Sequence, residues 1–123
     1  MSTSARRDYT QRVLGLYRCT PGASGIARRA DRRLAASLFD RQIPLEVLHA
    51  ALLLAVARRS SRPQNAPPLS PIATLHYFLP IIDELLAMPL DPGYLHYLRH
   101  SLAEIAPALV QHADPQNRDH QFP

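Results

Sequence analysis

Pro44-Leu45-Glu46-Val47-Leu48-His49-Ala50-Ala51-Leu52-Leu53-Leu54-Ala55-Val56-Ala57-Arg58-Arg59 is the stretch that decides the fold. Proline is well suited to the first position of a helix, because its missing N–H has no partner there and its fixed φ already fits the turn. The residues that follow are apolar on nearly every side, which predicts a central helix covered by its neighbours and not a surface helix. Arg58 and Arg59 stand at its C-terminal end, where the helix dipole favours cations.

The flanking segments supply that cover. Upstream, roughly Ser4–Arg18, Tyr9, Val13, Leu16 and Tyr17 recur at helical intervals until Thr20-Pro21-Gly22 breaks the pattern. A second helix, about 24–41, carries Ile26, Ala30, Leu34 and Leu38 on one stripe. Downstream, Ser60 to Ser70 is a proline-rich connection whose prolines favour extended geometry. Ser70-Pro71 then reads as a cap and first-turn proline for a fourth helix through about Met88, with Ile72, Leu75, Phe78, Leu79, Ile82 and Leu86 inward and a kink at Pro80. Asp91-Pro92 repeats the device for a fifth helix with Tyr94, Leu95, Leu98, Leu102 and Ile105 on one stripe, which Pro107 bends or ends. No sustained alternation or hairpin signal occurs. The expected fold is all-α: a compact bundle of about five helices with the Pro-rich linker between helices three and four. One helical domain over residues 1–112 is expected, basic across residues 1–62 and acidic across residues 71–112, with the linker at 60–70 and a flexible tail at 113–123.

All fourteen basic residues are arginine, and their distribution is one-sided. Twelve arginines against Asp8, Asp31, Asp40 and Glu46 leave residues 1–62 at +8, while two arginines against six carboxylates put residues 63–123 at −4. A GC-rich coding sequence explains arginine over lysine but not this asymmetry. Guanidinium grips phosphate with two parallel hydrogen bonds, so a clustered arginine face reads first as a polyanion surface. At about 100° per residue, Arg28, Arg29, Arg32 and Arg33 fall opposite the apolar stripe of the second helix, with only Asp31 between them. Arg58, Arg59 and Arg62 form a second cluster, and Tyr9 and Tyr17 are candidate stacking surfaces for bases. Arginines without a base-reading motif imply phosphate contacts and salt dependence with little sequence preference. A helix-turn-helix formed by the second and third helices is rejected on chemical grounds, because a helix of leucine, valine and alanine offers no hydrogen bonds to base edges.

Catalytic and cofactor signals are missing. There is no glycine-rich phosphate loop, nucleophile elbow or His-Glu-x-x-His, and no metal or other cofactor is expected. His96 and His100 have metal-ligand spacing without further ligands, while Asp83 and Glu84 read as a solvated face or as partners for arginines. Cys19 is the only cysteine, residues 1–12 contain no signal-type apolar stretch, and the longest uncharged apolar run is Ala50 to Ala57. These features imply a cytoplasmic, non-membrane protein.

Pro44 to Ala55, followed after the linker by Ile72-Ala73-Thr74-Leu75-His76-Tyr77-Phe78-Leu79-Pro80-Ile81-Ile82, resembles the helical C-terminal domain of DnaD-like replication proteins. The similarity spans about residues 14–86, and Leu85 occupies the place where that family's Tyr-x-x-x-Ile motif commonly closes on tryptophan. The resemblance implies a helical accessory domain that binds DNA or a replisome partner, with Tyr77 and Ile81 as the motif positions. The resulting expectation is a small non-catalytic protein that binds nucleic acid, DNA more than RNA, in replication or a mobile element. Its acidic half would meet a protein partner or a second copy. The alternative is a structural subunit of a larger complex that acts through charge-complementary protein contacts.

Overall fold

The structure, a computed structural model, describes residues 2–111, and side chains from 4 onward; the tail expected at 113–123 lies outside the described residues. Six α-helices follow in order: α1 (Ser2–Arg18), α2 (Arg29–Asp40), α3 (Leu45–Ser60), α4 (Leu79–Ala87), α5 (Pro92–Ser101) and α6 (Pro107–Gln111), with a 3₁₀ turn at Leu75–Phe78. Among the described residues there is no sheet, only one isolated parallel bridge between Ala23 and Ile72. The all-α bundle therefore stands. α3 is its axis: every residue from Leu48 to Val56 is buried, and α1, α4, α5 and the 3₁₀ turn all pack on it. Its apolar circumference is satisfied from all sides, which denies it any access to a nucleic-acid groove. α6 closes over its N-terminal half, where buried His49 donates from Nε2 to the Leu109 carbonyl at 2.8 Å.

α1 and α2 form an antiparallel hairpin. The start of α1 meets the end of α2, with Arg6 on Asp40 at 3.0 Å and the Tyr9 ring edge-on to Phe39 at 5.4 Å. Tyr9 donates its hydroxyl to the Ile43 carbonyl at 2.8 Å, and burial pushes its phenol pKa up. α2 ends on two hydrogen bonds, Ile43 N–H to Leu38 O at 3.1 Å and Gln42 N–H to Phe39 O at 2.8 Å, which is the left-handed Schellman closure usually made with glycine. Here Gln42 takes that role with φ of 60°. No glycine marks the turn in the sequence, and the structure shows a side-chain-bearing residue holding the conformation glycine prefers.

Several local expectations are corrected. α2 starts at Arg29 and not near residue 24, because the segment before it is committed elsewhere: Ser24 N–H donates to Ile72 O at 2.8 Å and Ile72 N–H to Gly22 O at 2.7 Å. Ile26, expected inward, is 56% exposed, and Ala30 is exposed too. Ser70-Pro71 opens no helix; Thr74 caps the 3₁₀ turn instead, accepting from His76 N–H. Pro80 sits in the first turn of α4, so it begins a helix there and does not kink one. Leu86 and Tyr94 are exposed; Ile105 is exposed too, because α5 stops at Ser101 and the buried line continues through Leu102 and Ala106.

The basic and acidic halves are locked together by Asp31, whose side chain is 1% exposed. One carboxylate oxygen accepts from the Arg28 N–H at 2.9 Å, closing the first turn of α2. The other accepts from the Thr74 hydroxyl and the Leu75 N–H, each at 2.9 Å. A carboxylate only accepts, so Thr74 spends its proton on Asp31 and His76 Nδ1, 3.1 Å from the Thr74 oxygen, is the donor in that pair. Burial alone would raise the pKa of Asp31, but hydrogen bonds from Arg28, Leu75 and Thr74, with the nearby His76, outweigh it and hold the carboxyl below its usual range.

Two outcomes follow for stability. Asp31→Asn replaces a charged acceptor with an amide, and chemical denaturation should show a loss of ~2–3 kcal/mol. Because the folded pKa of Asp31 lies below the unfolded value, its contribution is complete above about pH 4 and disappears as pH falls through the folded pKa; acid unfolding of the Asn variant should lack that component. Gln42→Gly relieves a side chain in the left-handed region and should raise stability by about 1 kcal/mol in the same denaturation assay.

Candidate nucleic-acid interface

The cationic surface is built on α2. Arg28 precedes its first residue and Arg29, Arg32 and Arg33 occupy its first turns, all four exposed. Asp31 sits among them in sequence but is turned into the core, where its carboxylate accepts from the Arg28 N–H, Thr74 and Leu75 and pairs with none of the four guanidiniums. Among the described residues, none of the four is joined to a carboxylate through its side chain. The N-terminal end of a helix dipole adds to their attraction for anions.

The second predicted cluster is placed differently. Arg58 reaches Glu84 on α4 at 2.9 Å. Arg59 donates from Nη2 to the Ser70 carbonyl at 3.1 Å and from Nη1 to the Tyr77 hydroxyl at 3.4 Å, with its Cζ 5.8 Å from the Tyr77 ring centroid. Its guanidinium lies over Gly22, where a Cβ would meet Nε and Nη2 at 3.3 Å; with φ of +90° the position suits glycine on both counts. Arg62 is half-buried. Arg41, at the end of α2, approaches Asp83 of α4 at 3.6 Å. Asp83 and Glu84 thus dock against arginines of the front half, and some of the charge asymmetry in the sequence is matched inside the molecule. These pairs are solvent-exposed and each contributes at most about 1 kcal/mol.

Aromatic residues are also sorted. Tyr17, a candidate stacking surface, is 0% exposed and packed edge-on against Phe78, so no base reaches it. Tyr77 is exposed in the 3₁₀ turn, and Ile81 packs half-buried against the core from α4; the two motif positions stand on different elements. His96 and His100 are exposed on α5. Among the described residues no group of three or more His, Cys, Asp or Glu is placed to hold a metal ion, and no helix is long and apolar enough to cross a membrane.

Arginines from α1 join the surface, which periodicity along single helices does not reveal. Arg6, Arg7, Thr10, Gln11 and Leu14 form one stripe of α1 and face Arg32, Ala36, Phe39 and Asp40 of α2 across a cleft of about 610 Å³. The spacings i, i+3, i+4 and i+7 on α1 and i, i+4, i+7 and i+8 on α2 signal two facing helical stripes, but which helices face each other is a tertiary fact. Arg6 holds Asp40 through both oxygens at 3.0 Å; these hydrogen bonds keep the Asp40 carboxyl low and raise the Arg6 pKa. Arg7 and Arg32, by contrast, carry no ion pair among the described residues.

Arg59→Ala removes two hydrogen bonds and a packed guanidinium at a half-exposed site. The expected effect is a loss of about 1 kcal/mol in denaturant stability, with binding by the α2 face unchanged in a shift assay.

No family model matches the chain, and no curated protein or solved structure matches it either.

Proposed function

We propose that the protein is a non-catalytic nucleic-acid-binding accessory protein that holds a phosphate backbone on the arginine face of α2, as in replication or mobile-element machinery. The observation that carries this reading is the four exposed guanidiniums within the first turns of one helix, with the intervening carboxylate buried. Binding is driven by release of counterions from the phosphates, so it is steeply salt-dependent and nearly indifferent to sequence. Arg58 and Arg59 serve mainly to brace α4 and the linker end, which narrows the interface to Arg28, Arg29, Arg32 and Arg33 with Arg62 and Arg7 at its margins.

A second reading, a structural subunit working through protein contacts, is favoured by the large apolar side chains left exposed on the acidic half: Met88, Tyr97 and Ile105, each more than half exposed. In that case mass measurements at low and high salt show salt-sensitive self-association without retention of nucleic acid.

The quadruple variant Arg28→Glu, Arg29→Glu, Arg32→Glu, Arg33→Glu tests the first reading. Acidic residues in the first turn suit the helix dipole, so the fold is retained, as circular dichroism should report. Affinity for DNA and RNA strands in a shift assay is expected to fall on the order of 100-fold at low salt, and the slope of log K against log salt to flatten by about 3. Unchanged affinity would falsify the α2 face as the binding surface.

A further inference from the structure

The cleft between α1 and α2 has a composition that phosphate attraction alone does not require. Its rim carries Arg7 and Arg32, both without a carboxylate partner among the described residues, and its floor is apolar, made by Leu14, Ala36 and the half-buried Phe39 ring. Thr10 and Gln11 add neutral hydrogen-bonding groups to the wall. At about 610 Å³ it falls in the range, about 300–1,000 Å³, that accommodates a small organic ligand. Two cations beside an apolar floor that includes an aromatic ring match a molecule with one anionic group and one planar ring face.

We infer that this cleft seats one nucleotide of a single strand, with Arg7 and Arg32 on its rim engaging the flanking phosphates and the base on the floor formed by Leu14, Ala36 and Phe39. The inference rests on the proposed nucleic-acid reading and deepens it by naming the strand form. Arg32 belongs to both surfaces, so a strand tracking along α2 reaches the cleft without a break. A duplex keeps its bases stacked inside and has no base to insert, whereas a single strand splays bases freely onto aromatic and apolar platforms. Asp40 does not repel the phosphate as a free carboxylate would, because Arg6 engages both of its oxygens.

The chain contains no tryptophan, so Phe39→Trp places its single tryptophan on the cleft floor. Fluorescence titration should use a mononucleotide, DNA and RNA strands of about twelve nucleotides, and a duplex of the same length, a span that covers an ordinary single-strand site. Saturable quenching by the strands is expected, at concentrations about tenfold below those needed with the mononucleotide, with no quenching by duplex. In the otherwise native chain, Ala36→Leu fills the floor and Arg7→Gln removes an exposed cation. Each should lower single-strand affinity about tenfold, measured by anisotropy of labelled strands, and Ala36→Leu should leave duplex affinity as it was. Because Arg7 is exposed, its variant keeps the test independent of packing.

Strands that bind without quenching, or that bind both variants as tightly as the native chain, overturn the cleft while the α2 reading survives. Quenching by the mononucleotide as tight as by the strands overturns the strand assignment in favour of a free-nucleotide site. If neither strands nor duplex bind the native chain at all, the α2 reading and the cleft fall together.

Discussion

The hydrogen bonding of one buried carboxylate, Asp31, sets the geometry on which everything else in this protein depends. It closes the first turn of α2 through Arg28 and, from its other oxygen, holds Thr74 and Leu75 more than forty residues away. Burying a charge is costly unless it is fully hydrogen-bonded, and here three donors meet it. Two consequences arise together. The start of α2 is fixed in position, and the acidic half of the chain is moored against the basic half just where the linker ends. The neighbouring bridge from Gly22 and Ser24 to Ile72 fastens the same two segments a second time.

That anchoring also determines which arginines face solvent. With Asp31 drawn inward, its four arginine neighbours have no ion pair with it among the described residues. Elsewhere the opposite occurs: Arg6, Arg41 and Arg58 each meet an acidic side chain, and Arg59 is absorbed by Ser70 and Tyr77. The contrast between a basic and an acidic half is therefore divided between an internal matching of charge and an outward field. Only the outward share is available to a polyanion.

Much of the architecture is legible in the sequence because it rests on local physics. The uniform apolarity of 45–57 marks the central helix, Asp91-Pro92 marks the start of α5, and the spacing of Leu34 and Leu38 marks the buried side of α2. What escapes is set by partners distant in the chain. Ile26 follows a helical period but belongs to a segment held extended by Ile72, and Ser70-Pro71 has the chemistry of a helix start but lies in the strand-like approach to that bridge. Pro80 looks like a defect within one long helix, whereas the 3₁₀ turn before it makes it an opening residue. For the candidate site, helical periodicity gives the exposed face of α2 correctly. It gives no hint that Arg58 and Arg59 are occupied or that Arg7 and Arg32 line one cleft, since each depends on how helices pair.

The proline-rich passage from Ser61 to Ser70 leaves α3 beside Arg59 and returns to it, because that arginine holds the Ser70 carbonyl and the bridge to Ala23 secures Ile72 directly afterward. From Ser61 up to those moorings the residues are mostly exposed and contribute nothing to the core cluster. Lengthening such a loop costs little entropy, since its closure penalty grows only with the logarithm of its size. This passage is consequently the natural place to graft a tag or a peptide, or to open the chain for circular rearrangement, without disturbing either half.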